Sequence, residues 1–426
     1  MSTMLLQVLM NWRWLNKSQW LSRDQLYKIQ ARKLREIVAR AYEGTVFYRR
    51  LYGVNRPVIS SVQDIKKLPI ITKDDVRKAS LEDRTTRGTD INKCIRKTTS
   101  GTTGVPVTIL EDPYSAAYRE GLNLRRFWSY GVRPWHRIFR VVVGPVEKAF
   151  TENIADMAGI WGRIRTNRVT RLSSSGEIHD HLRIFKERRA SVLFAPPSYF
   201  RALKEVCESR ETRLNLKIAV TFGELLDMKT RRMISDFFDA EVFDVYSCTE
   251  VGQLAWECPT HTAYHINIDS VVLEFLRDGE DVQPGEAGEV VATSLYRQAT
   301  PMIRYYLGDK ATPIDDECPC GRGLPLLKNI EGRIVDSIIR PDGGYISPFT
   351  VMHTLQEVEN LDQFRVIQRG NHSIEVQVKA ASNIDKVLEA VDERCRILFR
   401  GMHYSIKLVQ SIEPEKGKKF KIVARE

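Results

Sequence analysis

Thr98-Thr99-Ser100-Gly101-Thr102-Thr103-Gly104-Val105-Pro106 (TTSGTTGVP) gathers five hydroxyl side chains and two glycines into nine residues. Gly101 and Gly104 let the backbone come close to a ligand and adopt positive φ. Hydroxyls and backbone N–H groups then converge on anionic oxygens, the arrangement of an anion-binding nest. The same composition also reads as an ordinary surface turn. The GxxxxGK[ST] spacing of a P-loop NTPase is missing, which removes that class. The two readings are separated only by what surrounds the stretch.

A chain of 426 residues exceeds the usual size of one domain, so two or three are expected. With 65 Lys and Arg against 54 Asp and Glu, the net charge is +11. That sign suits polyanionic partners such as nucleotides, coenzyme A or an acidic carrier protein. The basic residues are scattered and no nucleic-acid-binding module signature is present, so nucleic acid is not an expected partner. No uncharged apolar run reaches about 18 residues, so no transmembrane segment is expected. Seven cysteines without a secretory leader point to a reducing cytoplasm. Leu5, Leu6, Leu9, Trp12, Trp14 and Trp20 lie at near-helical spacing, read here as a helix packed on the body rather than on a membrane.

Further along, residues 24–50 show the period of an amphipathic helix ending near Gly44. The apolar runs at 137–144, 190–198, 216–224 and 240–247 predict buried strands, stopped by Gly or Pro or alternating with helices. Strand–helix alternation of this kind indicates an α/β architecture. After residue 332 the composition shifts: IEVQVKA and SIKLVQS flank a helical NIDKVLEAVDERCRILF. The expected organisation is a large α/β domain over 1–332 and a small α+β domain over 333–426.

Four motifs follow TTSGTTGVP in order. They are FGE at Phe222–Glu224, YSCTE at Tyr246–Glu250, YYLGD at Tyr305–Asp309 and EGRIVD at Glu331–Asp336. EKGKKFK occupies residues 415–421. This series resembles the adenylate-forming, acyl-CoA synthetase superfamily, and within it the phenylacetate–CoA ligase-like family near its capsular-polysaccharide-linked members. LPIITKDDVR, PPS at 196–198, ECPTHTAYH, CPCGRGLP and PDGGYISP carry the same flavour, so the resemblance spans nearly the whole chain.

The resemblance implies the adenylate-forming fold, with the C-terminal domain as a mobile lid. It implies ATP-dependent, AMP-forming activation of a small carboxylic acid to an acyl-adenylate, then transfer to a thiol such as coenzyme A or a carrier protein. Ser100, Gly101, Thr102, Thr103 and Gly104 would cradle phosphates, while Gly223, Glu224, Tyr246 and Ser247 would line the adenine. Thr249 would touch the α-phosphate, Glu250 would hold Mg²⁺, Asp309 would bind the ribose hydroxyls, and Arg333 would contact ribose or phosphate. Lys418 matches the adenylating lysine, with Lys419 the alternative if the register slips. In the family an Asp two positions after the Arg of the GR pair serves as hinge; here Val335 stands there and Asp336 follows.

Cys258 and His261 form a CxxH pair, and Cys318 and Cys320 a CxC pair. Three thiolates and an imidazole suit tetrahedral structural zinc, with His265 as the alternative fourth ligand. Aromatics near Phe127–Trp135, Phe194–Ser198 and Phe222 suggest an aryl or otherwise apolar acid. Two competing readings stand beside this one. The acyl acceptor would be an amine or a sugar, or the chain would be a non-catalytic nucleotide-binding scaffold.

Overall fold

The computed structural model describes residues 3–98, 107–142, 169–174, 176–333, 336–370, 373–413 and 420–426. Ser100, Gly101, Thr102, Thr103, Gly104, Val335, Lys418 and Lys419 therefore lie outside the described residues. β1 (Ile95–Thr98) and β2 (Thr108–Glu111) pair antiparallel with Thr98 opposite Thr108. The hydroxyl-rich stretch thus joins two paired strands.

A twelve-stranded sheet runs through the large N-terminal part. β3 (Ile138–Val142), β4 (Val169–Ser173), β5 (Val192–Ala195), β6 (Ile218–Phe222) and β7 (Glu241–Cys248) make its parallel half, in the order β4-β3-β5-β6-β7. β5 reads VLFA and β6 IAVTF because helices cover both faces, so no polar alternation is needed. Helices Pro197–Ser209 and Met228–Phe238 make the crossovers, the latter capped by the Asp227 side chain on Thr230 N. Strand order reverses between β3 and β5, since β4 lies outside β3 while β5, β6 and β7 build the other way. Such a switch point opens a crevice beyond the carboxyl ends of the strands.

The sheet continues antiparallel through β8 (Gly252–Glu257), β9 (Tyr264–Ile266), β10 (Val271–Arg277), β11 (Glu280–Asp281), β12 (Gly288–Ser294), β13 (Tyr305–Ile314) and β14 (Leu326–Arg333). From β7 the order is β8-β9-β14-β13-β12-β10-β11. The C-terminal part carries a ribbon of β15 (Ile338–Ile339) and β16 (Tyr345–Ile346). It also has a four-stranded sheet of β17 (Gln363–Gln368), β18 (Ile374–Lys379), β19 (Tyr404–Leu408) and β20 (Val423–Arg425), ordered β19-β18-β17-β20. Val366, Val376, Val387, Val391 and Phe399 close a separate core between this sheet and helix Ile384–Leu398.

Helix Thr3–Ser18 packs along helix Pro113–Ser129. Gly121 permits the approach: a Cβ there would stand 2.9 Å from Asn11 Cβ and 3.1 Å from Trp12 N. Trp12 meets Trp128 edge-on at 5.5 Å. The aromatic N-terminal segment is thus a packed helix, although Leu6 and Met10 remain exposed. Among the described residues no helix is long and apolar enough to cross a membrane.

Candidate active site

A cleft of about 1380 Å³ lies at the carboxyl ends of the parallel strands, walled on the other side by the C-terminal part. Its lining includes the described residues expected at the nucleotide: Gly223, Glu224, Tyr246, Ser247, Thr249, Glu250, Asp309 and Arg333. Residues more than a hundred positions apart meet here because β6, β7, β13 and β14 all end or turn at this edge.

At one end, Tyr246 Oη donates to Asp309 Oδ2 at 2.8 Å. Asp309 faces Arg333 across the β13–β14 register, with Arg333 Nε 3.6 Å from Oδ1. Burial and the Asp309 carboxylate push the Tyr246 phenol far above its ordinary range, so it stays a donor. Glu250 sits in the turn after β7, and Tyr305 Oη donates to its Oε1 at 3.2 Å. Arg297 fixes this turn by donating to the carbonyls of Thr249 and Val251. Glu250 is nine-tenths buried but borders the cleft, which fits a carboxylate shared with a hard cation and phosphate oxygens.

Glu224 departs from a simple adenine-lining role. Its carboxylate accepts from Ser198 N and Oγ at 3.0 and 2.8 Å, and from Phe420 N at 2.7 Å. Burial raises its pKa, opposed by those three donors. Glu224 therefore ties the end of β6 to the C-terminal part. Gly223 before it holds φ +78°, the left-handed region that disfavours a side chain. Cys248 is a half-buried thiol on the cleft wall, pushed up to about 12 by burial, with Glu250 adding to the shift, which disfavours the thiolate. Asp336, next to the expected hinge position, pairs with Lys421 at 2.7 Å.

Several cleft residues were not singled out from sequence. Lys97 Nζ lies 2.8 Å from Glu111, one residue before Thr98, and burial together with Arg119 brings its ammonium down to about 7. Arg119, Asn123, Arg126, Arg140 and Gln253 line the same wall. A strand period of two on β3 would have placed Arg140 with Ile138 and Val142, but only the sheet order shows that this face borders the cleft. Of the expected acid-pocket aromatics, Phe194 and Phe222 line it, stacked at 4.6 Å. Trp135 is two-thirds exposed and points elsewhere.

The cysteines converge at a second place. Cys258, His265, Cys318 and Cys320 bring their ligand atoms within 4.8 Å of one another. Cys258 and Cys318 sulfurs are 3.4 Å apart, and Cys320 Sγ is 3.3 Å from His265 Nε2. Tetrahedral zinc with thiolate bonds near 2.3 Å needs about 3.7 Å between sulfurs, so the donor set fits. His261 is not part of it. At φ +56° it turns back to bond Glu257 at 2.9 Å and stacks on Phe243 at 4.9 Å. His265 joins instead because β9 lies between β8 and β14, facing Leu326 just past the CxC turn. All seven cysteines are unpaired.

No family model matches the chain. Among curated proteins it is 24% identical over 352 residues to the phenylacetate-coenzyme A ligase of Thermus thermophilus, covering 75% of this chain and 73% of that one. It is also 24% identical over 396 residues to the phenylacetate-coenzyme A ligase of Escherichia coli, covering 89% and 88%. Among solved structures, 2-hydroxyisobutyryl-CoA ligase in the postadenylation state with R3-HIB-AMP superposes with a TM-score of 0.80, at 20% identity, over 95% and 90% of the two chains. The fold is that of the adenylate-forming CoA ligases. The long mixed sheet is the larger N-terminal part of that fold, and residues beyond β14 are the smaller C-terminal part.

Proposed function

We propose that this protein is an AMP-forming acid–thiol ligase, which activates a carboxylic acid with ATP and passes the acyl group to a thiol. The observation that carries this reading is the convergence of Tyr246, Glu250, Asp309 and Arg333 in one cleft, in the order the sequence resemblance implies. The acid's carboxylate attacks the α-phosphorus, pyrophosphate leaves, and an acyl-adenylate forms. Coenzyme A or the thiol of an acidic carrier protein then displaces AMP.

Charge on the phosphate oxygens rises in the first step, so catalysis rests on positioning and on fixed positive charge. Asp309 accepts two ribose hydrogen bonds, with Tyr246 and Arg333 holding its orientation. Thr249 contacts the α-phosphate from a turn that Arg297 keeps rigid. Glu250 is the carboxylate suited to Mg²⁺, which supplies charge neutralisation to the phosphates when bound. Ser100, Gly101, Thr102, Thr103 and Gly104 cradle the phosphates, and Lys418, with Lys419 as the alternative, supplies the adenylating cation.

Residues 333–426 act as the lid that brings this lysine in. Glu224 with Phe420 N, Lys229 with the Leu361 carbonyl and Lys379 with Glu205 are contacts that hold it against the body, while Asp336 with Lys421 ties the lid to itself. Cys258, His265, Cys318 and Cys320 hold structural zinc, away from the reaction. A reducing cytoplasm keeps these thiols available as ligands.

The test is ATP–pyrophosphate exchange with a panel of carboxylic acids, followed by trapping of the acyl-adenylate. Exchange that depends on an added acid is expected. Nucleotide binding with no exchange for any acid would make the protein a scaffold.

A further inference from the structure

Arg126 and Arg140 crowd one aromatic ring. Their guanidinium carbons lie 5.3 and 4.8 Å from the centroid of Phe194, and Arg140 also lies 5.8 Å from Phe222. Arg126 comes from helix Pro113–Ser129 and Arg140 from β3, so tertiary packing brings them together. Cation–π attraction draws each to the ring but does not remove the repulsion between them.

Glu120 is near enough to act on both arginines, but no carboxylate bonds either of them among the described residues. Arg126 bonds only neutral oxygens, Gln253 Oε1 and Asn123 Oδ1, both at 2.9 Å. Arg140 makes no hydrogen bond to a described residue, and the Nε of both arginines is buried without a partner. The nearby acids are already engaged: Glu111 with Lys97 and Arg119, and Glu120 with Arg119 and Asn123. Burial brings Arg126 down to about 10, and burial with Arg171, Arg119 and Arg126 brings Arg140 down to about 9. Both still carry full charge at neutral pH. An orphaned, doubly cationic wall is costly unless an anion completes it.

Both residues line the cleft. The nucleotide-side groups Tyr246, Asp309 and Arg333 stand on β7, β13 and β14, whereas Arg140 is on β3, three strands beyond β7 in the sheet order. At a strand spacing of about 4.8 Å that is roughly 14 Å away. The wall therefore lies away from those groups, beside the stacked Phe194 and Phe222 rings.

We propose that Arg126 and Arg140 bind a second anionic group on the acyl part of the substrate, so that the acid activated is a dianion such as a dicarboxylate or a phosphono-carboxylate. This rests on the acid-activating function proposed above. The two phenylalanines pack the spacer, and the far anion ends on the paired guanidiniums. Phe194 and Phe222 alone suggest an apolar acid; the arginines beside them make the pocket amphipathic.

The experiment is ATP–pyrophosphate exchange with matched acids: glutarate against valerate, 4-carboxyphenylacetate against phenylacetate, and 3-phosphonopropionate against butyrate. The wild type should favour the dianion of at least one pair by tenfold or more in kcat/KM, the worth of a charge-assisted hydrogen bond. Arg140→Leu should raise KM for that dianion about tenfold and leave KM for ATP within about twofold. Arg140→Lys, which keeps the charge, should recover part of the loss, and this excludes simple misfolding. The phosphonate and carboxylate pairs distinguish which anion the wall prefers. Equal use of both members of every pair, unchanged by Arg140→Leu, overturns the proposal. A rise in KM for ATP with every acid alike also overturns it, by assigning the arginines to nucleotide phosphates. Exchange with valerate, phenylacetate or butyrate alone would refute the dianion while leaving the ligase function standing. Exchange with no acid at all would refute both.

Discussion

Tyr246 Oη and Asp309 Oδ2, 63 positions apart, are joined by a 2.8 Å hydrogen bond that ties the end of β7 to β13. Together with Arg333, the bond orients the carboxylate in the cleft. Tyr246→Phe keeps the ring and loses the donor. KM for ATP should rise about tenfold, the worth of a hydrogen bond to a charged group, with little change in KM for the acid. A change in acid KM alone would remove Asp309 from the nucleotide site.

Glu250 is held by Tyr305 at the turn after β7. Glu250→Gln removes charge at nearly constant volume. Pyrophosphate exchange should fall roughly a hundredfold, with the melting temperature little altered. Titration with Mg²⁺ should show a weakened response, and an unchanged Mg²⁺ dependence would reassign the metal.

The ligand cluster predicts about one zinc per chain in protein prepared without chelator. Cys318→Ser and His265→Ala should each release it, whereas His261→Ala should retain it, because His261 bonds Glu257 and stacks on Phe243 instead. Elemental analysis of the three variants decides. Retention in His265→Ala with loss in His261→Ala would reverse the assignment.

Lys97 gives a pH dependence with a definite sign. Burial and Arg119 lower its ammonium to about 7, so the charge is present below pH 7 and lost as pH rises through it. A bound polyanion favours the protonated form. ATP affinity should therefore fall between pH 6 and 8, by up to about tenfold per unit above 7, with proton uptake on binding measurable by calorimetry in buffers of different ionisation heat. Lys97→Met should flatten the profile; a profile as steep as the wild type's would assign the titration to another group.

Lys418→Ala should suppress acyl-adenylate formation while ATP still binds, since Tyr246 and Asp309 belong to the N-terminal part. Transfer from a preformed acyl-adenylate should survive. If Lys419→Ala abolishes adenylation and Lys418→Ala does not, the register is one residue on.

Much of the architecture was legible in the chain itself. The apolar runs of β5, β6 and β7 and the helices between them announce a parallel sheet, because a strand covered on both faces needs no polar side. The order of FGE, YSCTE, YYLGD and EGR pointed to one nucleotide-binding architecture, and each of the four motifs contributes residues to one cleft. These are local signals: periodicity and short motifs live within a dozen residues.

What the tertiary structure alone decided depends on pairing between distant segments. His265 rather than His261 meets the cysteines because β9 inserts between β8 and β14, a neighbour relation that CxxH spacing cannot express. Glu224 meets Phe420 across 196 positions and so belongs as much to the C-terminal contact as to the nucleotide. Arg126 and Arg140 stood in the sequence as two unremarked cations on a helix and a strand. Their shared ring, without a bonded carboxylate among the described residues, exists only once the strand order carries β3 next to β5 under helix Pro113–Ser129, since charge balance is a property of neighbours in space.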